Sequence, residues 1–259
     1  MSLILNGSWE NSYGSVMVLD VAENGFIFGE YVSHTGSSGT YLVIGHCQPN
    51  NPENDAGQPL VLSIYWRSVS GEEPDDGSHW VSTYCGQLDN NGQITVINSL
   101  ITTTHYQAFS PGDYIDKLIF TKQPITRDVA TRSMELIEQK KEVVANPING
   151  VWVNTEQAIE LTVFVQSQKY GVVNGWLFYE GEQISLLGFT DTFADKNILQ
   201  SVSLSGYMLK THHPISLAGR INQDASVLVL SRWLANSTTV AESYLQASSL
   251  NWELTKIHC

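Results

Sequence analysis

The chain has 259 residues, of which 42% are hydrophobic, and its 26 acidic against 13 basic residues give a formal net charge of −13. This composition indicates one large or two ordinary folded domains, and the charge disfavours a nucleic-acid partner because phosphate binding needs clustered Lys and Arg. No apolar run approaches the ~20 residues of a membrane span, and the N-terminus lacks the basic start and apolar stretch of a signal peptide. We therefore expect a cytoplasmic protein without a membrane partner.

The first half of the chain alternates short apolar and polar runs with Gly, Asn, Pro and Asp, a pattern typical of strands and tight turns. Eight such runs at close spacing favour an up-and-down barrel, which leaves no exposed sheet edge. The predicted strands are 8–13, 15–21, 26–33, 40–46, 60–67, 79–88, 94–103 and 113–121.

A charged segment interrupts this pattern in the middle of the chain. Apolar residues recur at helical spacing within 127–145, and Pro147 ends the segment. The sequence thus predicts a helical linker over residues 124–147, between a first domain at 1–123 and a second at 148–259.

The second half repeats the strand pattern of the first. The stretch "LNGSWEN" (5–11) corresponds to "INGVWVN" (148–154), and "FTK" near the end of the first half corresponds to "LTK" in the second. A repeat this long indicates duplication of a whole barrel. The predicted fold class is therefore all-β, with two tandem eight-stranded antiparallel up-and-down barrels joined by the helical linker. The strands predicted in the second barrel are 150–155, 158–167, 170–180, 183–190, 199–210, 213–222, 226–235 and 248–258.

Four stretches of the first half, in order along the chain, resemble the avidin/streptavidin family: "GSWENSYGS", "GEYVSHTGS", "YWRS" and "STYCGQL". The second half resembles the family more faintly, through "NGVWVN", "LAGRINQ" and "LSRWLANSTT". The resemblance implies barrels that bind biotin at one open end, pack wall to wall and form tetramers or dimers. For a tandem copy, it implies a homodimer of chains that forms a pseudo-tetramer of barrels.

Polar residues on the first and third strands are candidates for the floor of a ligand cup. Every second side chain of a strand faces the same way, so Asn11, Tyr13 and Ser15 are predicted to share a face. Tyr31 and Ser33 share another, and by resemblance both faces point inward. The amide and two hydroxyls of Asn11, Ser15 and Tyr31 then suit a carbonyl or ureido oxygen. The alternative is that these groups satisfy one another or hold water.

The walls of this predicted cup depart from the family pattern. Leu118 stands where the family has an Asp that accepts a ureido N–H, and leucine cannot accept a hydrogen bond, although Asp116 could partly substitute. Trp80 replaces a small hydroxyl residue, and Ser99 replaces the seventh-strand tryptophan. We therefore expect an apolar, carbonyl-bearing ligand, with biotin bound weakly or not at all. The predicted ligand-binding residues are Asn11, Tyr13, Ser15, Tyr31, Ser33, Ser37, Trp66, Trp80, Ser82, Tyr84, Ser99 and Leu118.

The second barrel loses most of this constellation. Asn154 is kept, and Trp252, at the position of the family's Asp, can fill the cup. This favours a scaffold role, while a second specificity built on Glu156 and Trp233 is the alternative. The other corresponding positions hold Ala158, Leu177 and Tyr179.

Two further functions stay open from the sequence. A dry cup with oriented donors can polarise a carbonyl, so a cofactor-free cyclase or isomerase would use Tyr31, Asn11 and Asp116. Alternatively, both cups are closed and the protein is a structural or interaction protein. No catalytic motif and no zinc-site spacing occur, so we expect neither a cofactor nor a metal. The three widely spaced cysteines are expected to be unpaired thiols.

Overall fold

The computed structural model describes residues 4–33, 38–70, 80–105, 110–124, 144–194 and 199–257. These residues form two closed barrels, each of eight antiparallel strands. The predicted fold class of two tandem barrels is therefore confirmed. The helix predicted at 127–145 lies almost entirely outside the described residues. Within the described residues, no helix has the length and apolar character needed to cross a membrane.

The strands of both barrels follow the chain order. The first barrel consists of β1 (Gly7–Asn11), β2 (Val16–Val21), β3 (Phe26–Ser33), β4 (Gly39–Cys47), β5 (Gln58–Tyr65), β6 (Trp80–Leu88), β7 (Gln93–Thr102) and β8 (Gly112–Lys122). The second consists of β9 (Gly150–Asn154), β10 (Ile159–Val165), β11 (Val172–Tyr179), β12 (Glu182–Thr190), β13 (Gln200–Met208), β14 (His213–Ile221), β15 (Val227–Ala235) and β16 (Ala247–Ile257). A short 3₁₀ helix, Val240–Gln246, precedes the last strand. Each barrel closes by antiparallel pairing of its first and last strands.

The outer walls of the two barrels pack against each other. Tyr65 and Val81 of the first barrel share an apolar cluster with Phe189 of the second. Across the same contact, the Ser203 hydroxyl donates to the Ser63 hydroxyl at 2.9 Å. All residues of β5 and β6 are buried, because their inner faces line the barrel and their outer faces are covered by its neighbour. The chain is therefore a covalent pair of barrels joined wall to wall.

The repeated Asn-Gly-x-Trp motif closes one end of each barrel. The indole N–H of Trp9 donates to the Leu5 carbonyl at 2.9 Å, and that of Trp152 donates to the Ile148 carbonyl at 2.8 Å. Both indoles are fully buried. The glycine of the motif has a φ of 125° in the first barrel and 130° in the second, a region that glycine enters far more easily than other residues.

The asparagine of the motif and the repeated lysine complete this end. Asn6 Oδ1 accepts the Val21 N–H at 2.7 Å, and Asn149 Oδ1 accepts the Val165 N–H at 2.8 Å. The Nζ of the lysine in each Thr-Lys pair lies over the indole ring, 5.3 Å from its centroid in the first barrel and 5.1 Å in the second. The duplication has therefore kept the closed ends alike. Because β1 runs from this end toward Asn11, the predicted ligand-binding residues around Asn11 lie toward the opposite end of the barrel.

The two cysteines within the described residues, Cys47 and Cys85, are buried and unpaired, as predicted, whereas Cys259 lies outside them.

Candidate functional site

Asn11 ends β1 where the chain turns into β2. Its Oδ1 accepts hydrogen bonds from the backbone N–H groups of Tyr13 and Ser15, both at 3.0 Å. Its Nδ2 donates to the Tyr31 hydroxyl at 3.1 Å. Asn11 therefore holds the turn in place and also orients the phenol of Tyr31, which projects inward from β3.

The Tyr31 hydroxyl lies within a buried cluster of polar groups. The hydroxyls of Ser15 and Tyr84 also hydrogen-bond with it, and all four residues of the cluster are buried. The structure thus brings Asn11, Ser15 and Tyr31 together at one point inside the first barrel and adds Tyr84. Because these groups bind one another, a ligand oxygen would have to share or displace their hydrogen bonds.

Aromatic rings surround this cluster. The Tyr31 ring makes edge-to-face contacts with Trp66, Tyr84 and Phe120, at centroid distances of 5.2, 6.4 and 6.4 Å. The Trp66 indole N–H donates to the Ser82 hydroxyl at 2.8 Å, which fixes the orientation of that ring. The surroundings of the polar cluster are therefore apolar and rigid, and such surroundings strengthen hydrogen bonds to a bound polar group.

Burial sets the ionisation of the two phenols in the cluster. Desolvation raises the pKa of Tyr31, although its hydrogen bonds to Ser15, Tyr84 and Asn11 oppose the shift. Desolvation also raises the pKa of Tyr84 well above its usual value, and its interactions with Tyr31 and with the negative charge of Asp116 raise it further. Both hydroxyls therefore keep their protons at neutral pH and act as hydrogen-bond donors rather than as bases.

These raised values predict a loss of stability in alkali. A phenol whose pKa is higher in the folded than in the unfolded state stabilises the fold fully below the unfolded pKa of about 10, and this contribution falls as pH rises beyond it. We expect the free energy of unfolding to fall between pH 9 and pH 11, and to fall less steeply in Tyr84→Phe. Urea unfolding across this range measures the slope. Tyr244→Phe, in a side chain that is almost fully exposed, is the control, and an unchanged slope in Tyr84→Phe would contradict the prediction.

The predicted role of Ser99 in the wall of the cup is wrong. Val96 of β7 faces the interior, so alternation directs Asn98 inward and Ser99 outward. In the strand register, Asn98 lies between Tyr84 of β6 and Asp116 of β8. Asn98 is the inward residue that the sequence prediction missed, because that prediction placed the inward position one residue later along the strand.

Asn98 carries a buried polar atom without a hydrogen-bond partner among the described residues. This atom is Oδ1, the acceptor of the side-chain amide. Leaving a buried acceptor unsatisfied costs about 1–3 kcal/mol, so this oxygen is a position where a ligand N–H would be stabilised.

Tyr13 is also placed wrongly by the sequence prediction. β1 ends at Asn11, so the alternation of side chains does not continue through the turn to Tyr13. The ring of Tyr13 is 57% exposed, and the contact that Tyr13 makes with the cluster is its backbone N–H bond to Asn11.

The remaining predicted residues fall into three groups. Those that are buried on inward faces are Ser33, Trp80, Ser82 and Leu118. Asp116 lies on the inward face of β8 but is exposed, and its Oδ1 accepts the Lys117 N–H. Ser37 lies outside the described residues.

The second barrel does not reproduce the cluster. The Trp252 ring lies 4.9 Å from the Tyr179 ring and packs in the core, so an indole occupies space that would otherwise be open. Glu156 is exposed in a turn, and Trp233 faces the first barrel from the outer wall. The second specificity built on Glu156 and Trp233 is therefore wrong.

Comparisons with known proteins found a family similarity in the first part of the chain. Residues 2–110 match the model of the Avidin family. Among solved structures, the crystal structure of a rhizavidin–biotin complex matches with 20% sequence identity and a TM-score of 0.36, covering 48% of this chain and 97% of that chain. No curated protein matches the sequence. Residues 2–110, which span most of the first barrel, are thus similar to the Avidin family.

Proposed function

We propose that the first barrel is a receptor for a small, largely apolar molecule with a carbonyl-like polar head, such as an amide or ureido group. The observation that carries this proposal is the unsatisfied Asn98 Oδ1 beside the buried hydroxyl cluster. Tyr84 connects the two features, since it hydrogen-bonds with Tyr31 and is paired with Asn98 in the strand register. The ligand carbonyl would accept from the Tyr31 cluster while its N–H donates to Asn98.

The protonated phenol of Tyr31 suits a carbonyl acceptor. A carbonyl moved from water into this interior loses its hydrogen bonds, at a cost of about 1–3 kcal/mol unless donors replace them. Asn11 and Ser15 hold Tyr31 in position before any ligand arrives. The phenol of Tyr31 is therefore oriented before binding, which favours affinity, although the ligand carbonyl shares or displaces hydrogen bonds within the cluster.

Biotin is the first probe to test, because the rhizavidin structure is named as a biotin complex. Leu118 faces the interior and cannot accept a hydrogen bond from biotin, in contrast to the Asp that the family resemblance implies at this position. We propose that biotin binds weakly here, because Asn98 offers one acceptor where the second ureido N–H finds leucine.

Calorimetry with biotin is the test of this proposal. We expect the wild type to bind biotin with an affinity weaker than nanomolar, and Leu118→Asp to bind it more tightly. Tyr31→Phe and Asn98→Leu should each weaken the affinity for biotin about tenfold or more, since one buried hydrogen bond is worth roughly 1.4 kcal/mol or more. Trp176→Ala, on the outer wall of the second barrel, is the control and should not change binding. Nanomolar binding by wild type, or unchanged binding in Asn98→Leu, would contradict the proposal. Native mass spectrometry of protein from its source would reveal a co-purified ligand.

The alternative of a cyclase or isomerase is less favoured by the geometry. Asp116, the predicted proton-handling group, is exposed and accepts the backbone N–H of Lys117. The raised pKa of Tyr31 suits a hydrogen-bond donor better than a base. Pairing of two chains into four barrels stays a prediction, as does the cytoplasmic location.

A further inference from the structure

An arginine side chain lies inside the second barrel. Leu230 of β15 belongs to the interior core of this barrel, and alternation places Arg232 on the same inner face. Trp233, the next residue, packs on the opposite face against the first barrel. Arg232 is only 7% exposed.

Arg232 forms no salt bridge with a carboxylate of the described residues. Its Nε is buried and donates no hydrogen bond to them. Glu182 lies on an inner face at the same end of the barrel. Its Oε1 accepts the backbone N–H groups of Leu209 and Lys210, and its Oε2 is buried without a hydrogen-bond partner among the described residues. A buried cation without a partner is costly, so a bound anion would stabilise it.

The neighbours of Arg232 are apolar or aromatic. Its partners in the strand register are Leu217 of β14 and Leu250 of β16, and Leu250 is 51% exposed at the mouth of the barrel. The Tyr179 hydroxyl is close enough for the charge of Arg232 to act on it, and the Tyr179 ring packs on Trp252. This end of the second barrel therefore combines the positive charge of Arg232 with aromatic rings and aliphatic side chains.

We propose that Arg232 anchors a second ligand site, in the second barrel, for a small molecule that carries one carboxylate on an apolar body. A guanidinium offers two parallel N–H donors that match the two oxygens of a carboxylate. One carboxylate neutralises the single charge of Arg232, whereas a doubly charged phosphate would leave uncompensated charge in apolar surroundings. This site is independent of the cup in the first barrel, so the two can be tested separately.

Thermal unfolding with sodium phenylacetate tests the site. We expect phenylacetate to raise the melting temperature of wild type in a saturable way, whereas neutral phenylacetamide and sodium chloride at equal ionic strength do not. Arg232→Met should lose this shift. The matched control is Arg220→Met, because Arg220 is a half-buried arginine of the same barrel that pairs with Asp113 on the surface.

The same variants distinguish a ligand site from a structural arginine. Without ligand, Arg232→Met should melt at a higher temperature than wild type, because a buried unpaired charge has been removed. Arg232→Lys keeps the positive charge but loses the two parallel N–H donors, so this variant should bind phenylacetate at least tenfold more weakly in calorimetry. If Arg232→Met fails to fold, Arg232→Lys takes its place in the test. The proposal is overturned by absence of a wild-type shift, by an equal shift in Arg232→Met, by wild-type affinity in Arg232→Lys, or by a larger shift with inorganic phosphate.

Discussion

Replacing Trp9 with alanine is expected to lower the free energy of unfolding by about 3–5 kcal/mol, the range observed for large aromatic deletions in cores. The Trp9 indole is fully buried at the closed end of the first barrel, where its N–H satisfies the Leu5 carbonyl. Alanine would leave a cavity and an unpaired carbonyl. Because a domain is stabilised by only about 5–15 kcal/mol, this loss is a large share of the total.

The duplicated motif supplies a second test of the same argument. Trp152 occupies the equivalent position in the second barrel with the same bond to Ile148, so Trp152→Ala should cost a similar amount. Trp176→Ala is the control, since this indole is 41% exposed on an outer wall. Urea unfolding followed by circular dichroism measures all three variants. If Trp176→Ala lowered the free energy of unfolding as much as Trp9→Ala, the conclusion that the Asn-Gly-x-Trp motif stabilises the closed end of each barrel would be refuted.

Asn11→Ala is expected to lower the free energy of unfolding by about 2–4 kcal/mol and to weaken ligand binding. The substitution removes the acceptor of two backbone N–H groups, those of Tyr13 and Ser15, and also the donor to the Tyr31 hydroxyl. Without these bonds the turn after β1 loosens and Tyr31 loses its orientation. Urea unfolding and calorimetry with biotin measure the two effects.

Asn154 is the matched control for Asn11, because it holds the corresponding position in the second barrel. Its side chain donates to the Glu253 carbonyl at 3.1 Å and accepts the Gln157 N–H at 3.0 Å, both in a more exposed setting. Water can replace these partners, so Asn154→Ala should cost no more than about 1 kcal/mol. Equal losses in the two variants would show that the cluster around Tyr31 adds nothing to the role of Asn11.

The strands and the duplication could be predicted from the sequence because both depend on local signals. Alternating side chains and turn residues mark a strand over a few positions, and the repeated Asn-Gly-x-Trp motif marks the start of each barrel. The convergence of Asn11, Ser15 and Tyr31 could be predicted from the family resemblance, because the resemblance implies how β1 and β3 are placed relative to each other in the barrel. The participation of Tyr84 did not follow, since it depends on the distance across the barrel.

The errors at the cup came from register. A shift of one residue turns a side chain from the interior to the outer wall, so choosing Ser99 instead of Asn98 as the inward position reversed the predicted direction. Tyr13 was misplaced because the alternation ends with β1 at Asn11. Composition and motif cannot reveal such endpoints when the turn residues are themselves polar.

The sequence by itself determined the all-β class, the two barrels and the polar residues from which a binding site could be built. Each of these depends on local patterns, such as side-chain alternation, turn residues and the repeated motif. Only the tertiary structure decided which polar atoms lack a partner. Asn98 and Arg232 look ordinary in their strands. That Asn98 Oδ1 and Arg232 Nε lack a hydrogen-bond partner among the described residues is seen only once the neighbouring strands have closed around them. Hydrogen-bond satisfaction is a property of the whole barrel, since the partners come from strands distant in the chain.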